Sequence, residues 1–247
     1  MTEYAAGTPS WVELSTSDGD GSYAFYSALF GWTATEGTEA FGGYRSFLDD
    51  GRSVGGLNPM GEHPVWTTYV ATDDADATTE RVGAAGGTVI APPMDVGDLG
   101  RMAVFSDPAG AVFGVWQANE MKGAEKVNAP VSCCWNELHT ADRDAAKAFY
   151  SAVFGWETAD EDIGGSDYTL FSAGGRVVAG AGGTAEQPHW LTWFAVVDTD
   201  AAIARAQELG ASLTWGPNDT PGVGRTAILS DPQGAAFGVL QGETADE

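Results

Sequence analysis

The chain has 247 residues, 43% of them apolar, enough for two domains that each bury a core. Its 35 acidic residues stand against 11 lysines and arginines, and the formal charge of −24 repels polyanions, so nucleic acid and anionic membrane are excluded as expected partners. MTEYAAGTPS lacks the basic start and apolar core of a signal peptide, no apolar run nears the roughly 20 residues of a membrane helix, and a cytoplasmic protein is expected.

WVELST places Trp11, Glu13 and Ser15 on one face of a strand and Val12, Leu14 and Thr16 on the other. The period then lengthens. Asp18 stands where an N-cap is wanted, Phe25, Ala28 and Leu29 form a stripe at helical spacing, and Gly31 is placed to end the helix. Strand-like pieces follow around WTAT, YRSFLDD and SVGGLNP, separated by Gly-rich turns. The scheme then repeats more faintly. WTTYVAT reads as a strand, Asp74 to about Ala85 as a helix, and TVIAPPMDV, GRMAVFS and AVFGVWQ as strands. DVGDLGR reads either as a lid or as a plain hairpin connection.

After the polar stretch QANEMKGAEKVNAP the whole pattern returns at an offset of 124 residues. WVELSTSDGDGSYAFYSALFGW becomes WNELHTADRDAAKAFYSAVFGW, Asp142 and Gly155 take the cap positions, and SDPAGAVFGVWQ becomes SDPQGAAFGVLQ. A period this long marks a duplicated domain rather than a solenoid. The boundaries are a first domain over 1–120, a linker over 121–129 and a second domain over 130–247, each reading βαβββ twice. The two cysteines, Cys133 and Cys134, are adjacent; they offer neither a disulfide framework nor zinc-site spacing and read as reduced thiols entering a strand.

The paired AFYSALFGW and AFYSAVFGW helices, the Gly-terminated second helices (GAAGGTV, QELGASL) and the turns SDPAG and SDPQG before a last apolar strand resemble the vicinal oxygen chelate superfamily of glyoxalase I, bleomycin-resistance proteins and extradiol dioxygenases. The resemblance covers nearly the whole chain. It implies an α+β fold of two tandem domains, each a pair of βαβββ modules forming a curved eight-stranded mixed sheet around a ligand site. Enzymes of this superfamily hold a divalent metal with His, Gln and Glu from the first and last strands of each module. Carried onto this chain, those positions are Trp11 and Trp135, Thr68 and Thr192, Gly114 and Gly238, with the fourth in VGGLN or VAGAG. Indole and glycine supply no metal donor and a neutral hydroxyl is a poor one, so no metal site is expected.

The candidate catalytic residues are Glu13 and Glu137, each on the tryptophan side of its strand, and His139, two residues from Glu137. Glu13 and Glu137 read equally as ligand or general-base carboxylates and as partners of Arg101 and Arg225, which recur in both copies. His63 and His189 have no histidine counterpart in the other copy and read as isolated. Trp11, Trp135, Trp66, Trp190, Thr68, Thr192, Arg101 and Arg225 are the candidate ligand-binding residues; core packing competes for every tryptophan. There is no GxSxG elbow, P-loop or dinucleotide fingerprint.

Three functions compete. The resemblance with its ligand positions replaced favours a metal-free binder, of the glyoxalase/bleomycin-resistance type, for a small planar or carbonyl-bearing molecule. The second is a lyase or isomerase acting on a 2-oxoaldehyde or its thiol adduct, or an oxygenase, with an atypical site around Glu13, Glu137 and His139; only there is a divalent metal expected. The third is a scaffold whose aromatic cups hold its own side chains. No other cofactor is implied, the expected partner is the small molecule, and the chain is expected as a monomer or homodimer.

Overall fold

The computed structural model describes residues 4–183, 185 and 187–243. In the first copy, strand β1 (Pro9–Ser15) leads into helix α1 (Gly19–Phe30) and strands β2 (Thr33–Ala34), β3 (Arg45–Asp49) and β4 (Arg52–Asn58). β5 (Val65–Ala71), α2 (Ala75–Ala84), β6 (Thr88–Val96), β7 (Gly100–Ser106) and β8 (Val112–Ala118) complete it. The second copy repeats this with β9 (Cys133–His139), α3 (Arg143–Phe154), β10 (Glu157–Ile163), β11 (Ser166–Ala173) and β12 (Arg176–Gly182). β13 (His189–Ala195), α4 (Thr199–Glu208), β14 (Ser212–Thr220), β15 (Gly224–Ser230) and β16 (Ala236–Gly242) follow.

The helix ends obey local chemistry. Asp18 and Asp142 accept from the backbone N–H of Gly21 and Ala145 at 3.0 and 2.9 Å, and Asp74 and Asp198 do the same for Ala77 and Ala201, satisfying first-turn donors. Gly31 and Gly155 close α1 and α3 in the left-handed conformation, at φ 76° and 71°. A single 3-10 turn, Glu39–Phe41, stands where the sequence reads only loop. DVGDLGR spans the tight β6–β7 hairpin connection, with Val96 opposite Gly100.

Each sheet takes its eight strands from one copy, in the orders β2-β3-β4-β1-β5-β8-β7-β6 and β10-β11-β12-β9-β13-β16-β15-β14. The first strand of every module runs parallel to its last, as in β1 with β4 and β9 with β12, and the hairpins are antiparallel, so both sheets are mixed.

Side-chain packing divides the chain along another line, into two compact units that each draw on both copies. One contains the segment ending at Trp11, with Thr67–Gly123 and Asn136–Leu191; the other contains Val12–Trp66, Ala124–Trp135 and the segment from Thr192. Within the first unit α2 packs on α3 over a core that includes Val70, Phe105, Phe113, Leu138, Phe149 and Phe171. Within the second, α1 packs on α4 over Leu14, Phe25, Phe47, Phe194 and Phe237.

The repeated motifs meet inside these units. In the second unit Trp66 Nε1–H donates to the Tyr26 hydroxyl at 2.9 Å, which donates to Asp231 Oδ2 at 3.0 Å. In the first, Trp190, Tyr150 and Asp107 form the same chain at 2.8 and 3.1 Å. The tyrosine of AFYSALFGW therefore finds the aspartate of the other copy's SDPQG turn. Trp32 and Trp156 add a second such link, donating to the carbonyls of Val131 and Gly7. Arg205 and Arg81 add a third, donating to the carbonyls of Ala28 and Val153 near the C-termini of α1 and α3, where a cation also suits the helix dipole. The segment read as a linker is tied down: Glu125 Oε2 accepts from Ser53 N–H and Oγ, and Lys126 pairs with Asp49.

Candidate functional site

Strand alternation sorts the candidate residues between two sheet faces. Leu14, Asn136 and Leu138 turn into the cores, whereas Glu13, Glu137 and His139 lie on the opposite face and are only partly buried. On β9 the alternation brings two of them together: Glu137 Oε2 lies 2.8 Å from His139 Nε2, with the two side chains 13% and 15% exposed. An imidazole bound at Nε2 by a carboxylate donates that N–H and keeps its lone pair on Nδ1.

The neighbours of this pair come from three strands of the same unit. Glu137 stands opposite Gly180 and His139 opposite Gly182 on β12. The Tyr168 ring, from β11, lies over both glycines: a Cβ added to Gly180 or Gly182 would fall 2.3–2.5 Å from its atoms, and at Gly182 also 3.0 Å from Glu137 Oε1. The His189 ring, from β13, sits 5.0 Å from that of His139, and its Nδ1 lies 3.0 Å from the carbonyl oxygen of Gln187. The sequence reading paired neither Tyr168 nor His189 with the site; its one available signal is that His139 and His189 both replace small or apolar residues of the first copy, Ser15 and Val65.

Other candidates turn away from this face. Trp66 and Trp190 are core residues, 2% and 5% exposed, whose indoles serve the buried tyrosine chains. Thr68 is buried with its hydroxyl donating to Asn136 Oδ1 at 2.7 Å, and Thr192 is buried with a hydroxyl that has no hydrogen-bond partner among the described residues. Arg101 shares its strand face with core residues Ala103 and Phe105, so its guanidinium meets the first turn of α2: it is forked onto Asp76 at 3.0 Å and held by Asp95 at 2.8 Å. Arg225 is held likewise by Asp200 and Asp219. The expected alternative of a glutamate paired with a buried arginine is thus replaced by surface forks. Trp11 is buried and Trp135 partly so, each on the glutamate side of its strand. Burial, with Cys133 alongside, pushes the Cys134 thiol up, so it is not a ready nucleophile.

The positions that the resemblance assigns to a metal do not fit one. Gly114 and Gly238 stand opposite Tyr69 and Trp193, whose rings cover them so closely that a Cβ would fall 2.3 and 2.2 Å from ring carbons. Rings occupy the space a ligand side chain needs, and Thr68 is committed to Asn136. Among the described residues no group of three or more His, Cys, Asp or Glu is placed to hold a metal ion. No helix among them is long and apolar enough to cross a membrane.

Residues 8–115 match the family model of the Glyoxalase/Bleomycin resistance protein/Dioxygenase superfamily, and residues 135–240 match that of a Glyoxalase-like domain. Anthracycline biosynthesis protein DnrV of Streptomyces peucetius is 45% identical over 98% of this chain and 95% of its own length. CFP32 of Mycobacterium tuberculosis, which carries glyoxylase in its name, is 42% identical over 97% of each chain. In fold the chain is similar to the Mn(II)-bound glyoxalase from Novosphingobium aromaticivorans, with a TM-score of 0.63 at 20% identity over 98% of this chain and 86% of that one. It is also similar to the 2,3-dioxygenase LapB from Pseudomonas sp. KL28, with a TM-score of 0.66 at 13% identity over 100% and 96%. Two family-model matches in register with the internal repeat, and relatives aligned end to end, show that the chain belongs to the glyoxalase/bleomycin resistance protein/dioxygenase superfamily in its tandem, two-copy form.

Proposed function

We propose that this protein binds a small, planar, oxygen-bearing aromatic molecule without the help of a metal. One observation carries the reading: on the β9–β11–β12 surface the Tyr168 ring covers paired glycines beside the Glu137–His139 pair. A ring floor with two polar groups at its edge suits a flat ligand with hydroxyl or carbonyl substituents. In the first copy Glu13 is the corresponding carboxylate, and Trp11 and Trp135 remain candidate ligand contacts of their own units. DnrV, 45% identical, carries anthracycline biosynthesis in its name, which supports a planar aromatic ligand. On this reading the partner is the small molecule alone, and the chain works in the cytoplasm as a monomer or homodimer; its charge of −24 speaks against a nucleic-acid partner.

The test is a titration of the full chain, purified without chelator, with a hydroxyanthraquinone, followed by tryptophan fluorescence before and after EDTA treatment, alongside elemental analysis. Saturable binding unchanged by EDTA, with far less than one equivalent of Zn, Ni, Mn or Fe, is expected. Stoichiometric metal whose removal abolishes binding overturns the metal-free reading.

The Glu137–His139 pair favours a second reading, a lyase or isomerase acting on a 2-oxoaldehyde or its thiol adduct, because an oriented imidazole is a proton-transfer group. Turnover of a hemithioacetal by wild type and not by His139→Gln would promote it.

A further inference from the structure

The two copies are not equivalent at this surface. Where the second copy has Glu137, His139, Tyr168, Gly183 and His189, the first has Glu13, Ser15, Tyr44, Pro59 and Val65. The carboxylate and the tyrosine recur, but the imidazoles do not. Gly183 follows the same division. It is left-handed at φ 65°, and a Cβ there would fall 3.2 Å from His139 Nδ1, so glycine keeps the nitrogen that carries the lone pair clear of a side chain.

We propose that the Glu137–His139 dyad of the second copy alone is a metal-independent proton acceptor for an acidic hydroxyl, phenolic or enolic, on the bound planar molecule; this rests on the binding reading above. Glu137 accepts from Nε2–H, which fixes the tautomer and leaves Nδ1 to face the ligand. The ligand O–H bond breaks, an Nδ1–H bond forms, and the electron pair remains on oxygen. The product is a phenolate or enolate beside an imidazolium held by the Glu137 carboxylate, with no further reactant needed. Serine at position 15 cannot take that proton near neutrality, so the first copy can bind but not ionise.

Among the described residues, the groups around His139 come from four strands. On its own strand there is Glu137; β11 contributes Tyr168, β12 contributes glycine, and β13 contributes His189, whose Nδ1–H is directed at the Gln187 carbonyl. Arg143 and Lys147 of α3 are engaged by Asp167, Asp144 and Asp160.

The probe is 1,8-dihydroxyanthraquinone, whose absorption moves to longer wavelength when a hydroxyl ionises. Bound to the intact chain, it should titrate at least about one pH unit below the free dye, a roughly tenfold gain in ionised fraction at a given pH. Read at protein concentrations that saturate each variant, so that the dye is bound whatever its affinity, His139→Gln and Glu137→Gln should lose the shift. Gly183→Ala leaves both side chains in place and should also diminish the shift by crowding Nδ1, which carries the test if His139→Gln fails to fold. Dye that binds wild type but titrates as it does free overturns this inference and leaves the binding reading standing, as does a shift that survives His139→Gln. Dye that does not bind at all overturns both.

Discussion

Tyr26 shows how much one buried hydroxyl can be asked to do. It accepts from Trp66 and donates to Asp231, whose other oxygen takes the N–H groups of Gln233, Gly234 and Ala235 at 2.8–3.0 Å. Burial, reinforced by the neighbouring carboxylate, pushes the Tyr26 hydroxyl well above the usual tyrosine range, so it stays a donor. Tyr26→Phe orphans an indole N–H and half of a carboxylate, and should cost about 2–4 kcal/mol in a urea melt; a loss under ~0.5 kcal/mol would contradict this account. Burial also raises the Asp231 carboxyl, against the pull of those N–H donors. A raised folded pKa means that the folded state takes up this proton first. The stability tied to the group is fully present below the unfolded value of about 3.9 and is lost as pH rises through the folded value. Melts of wild type and Asp231→Asn across the carboxylate range should therefore converge on one difference at high pH, with wild type gaining on the variant as pH falls. The threonines give a matched pair. Thr68→Val removes the donor to Asn136 Oδ1 and should cost about 0.5–1.5 kcal/mol, whereas Thr192→Val removes a hydroxyl with no partner among the described residues and should be neutral or stabilising. Equal losses at both sites would sink the distinction.

At the scale of elements, local chemistry is sufficient to explain boundaries but not faces of contact. Four aspartates cap four helices, and Asp142→Ala should cost about 1 kcal/mol by thermal melting, with no loss expected if Ser or Asn replaces it. The edge strand β10 is exposed along almost its whole length and carries Glu157, Asp160, Glu161 and Asp162, a charged rim that resists pairing with another chain's edge. Arg101 and Arg225 illustrate parity: one residue's shift in register decides whether a strand arginine meets a helix or the open sheet face, and here it meets the helix.

For the molecule as a whole, the informative feature is that hydrogen-bonded sheets follow the copies while apolar cores do not. The core of α1 is completed by Phe194, Ile203 and Phe237 of the other copy, and that of α3 by Val70, Phe105 and Phe113. We propose on this basis that residues 1–120, expressed alone, expose both of the module faces that the second copy covers, and that they self-associate or fail to fold. Analytical ultracentrifugation of the fragment checks it. A stable, compact monomer with cooperative melting would show that one copy suffices.

Much of this was legible in the sequence by itself: the duplication, the caps Asp18 and Asp142 with the helix ends Gly31 and Gly155, nearly every strand, the side of the strand on which Glu137 and His139 lie, and the superfamily. Those features depend on interactions spanning a few residues, or on patterns repeated intact. What only the tertiary structure decided is which copy answers which. Tyr26 and Tyr150 sit in the same motif, and Asp107 and Asp231 sit in the same turn, so no local signal says whether Tyr26 takes the aspartate of its own copy or, 205 residues away, that of the other. The same holds for Trp66 and Trp190, whose place in a core rather than on the ligand face follows from partners supplied by distant strands and helices. Identical motifs carry identical local preferences, and the choice between them is made by which pair of apolar faces buries its surface together.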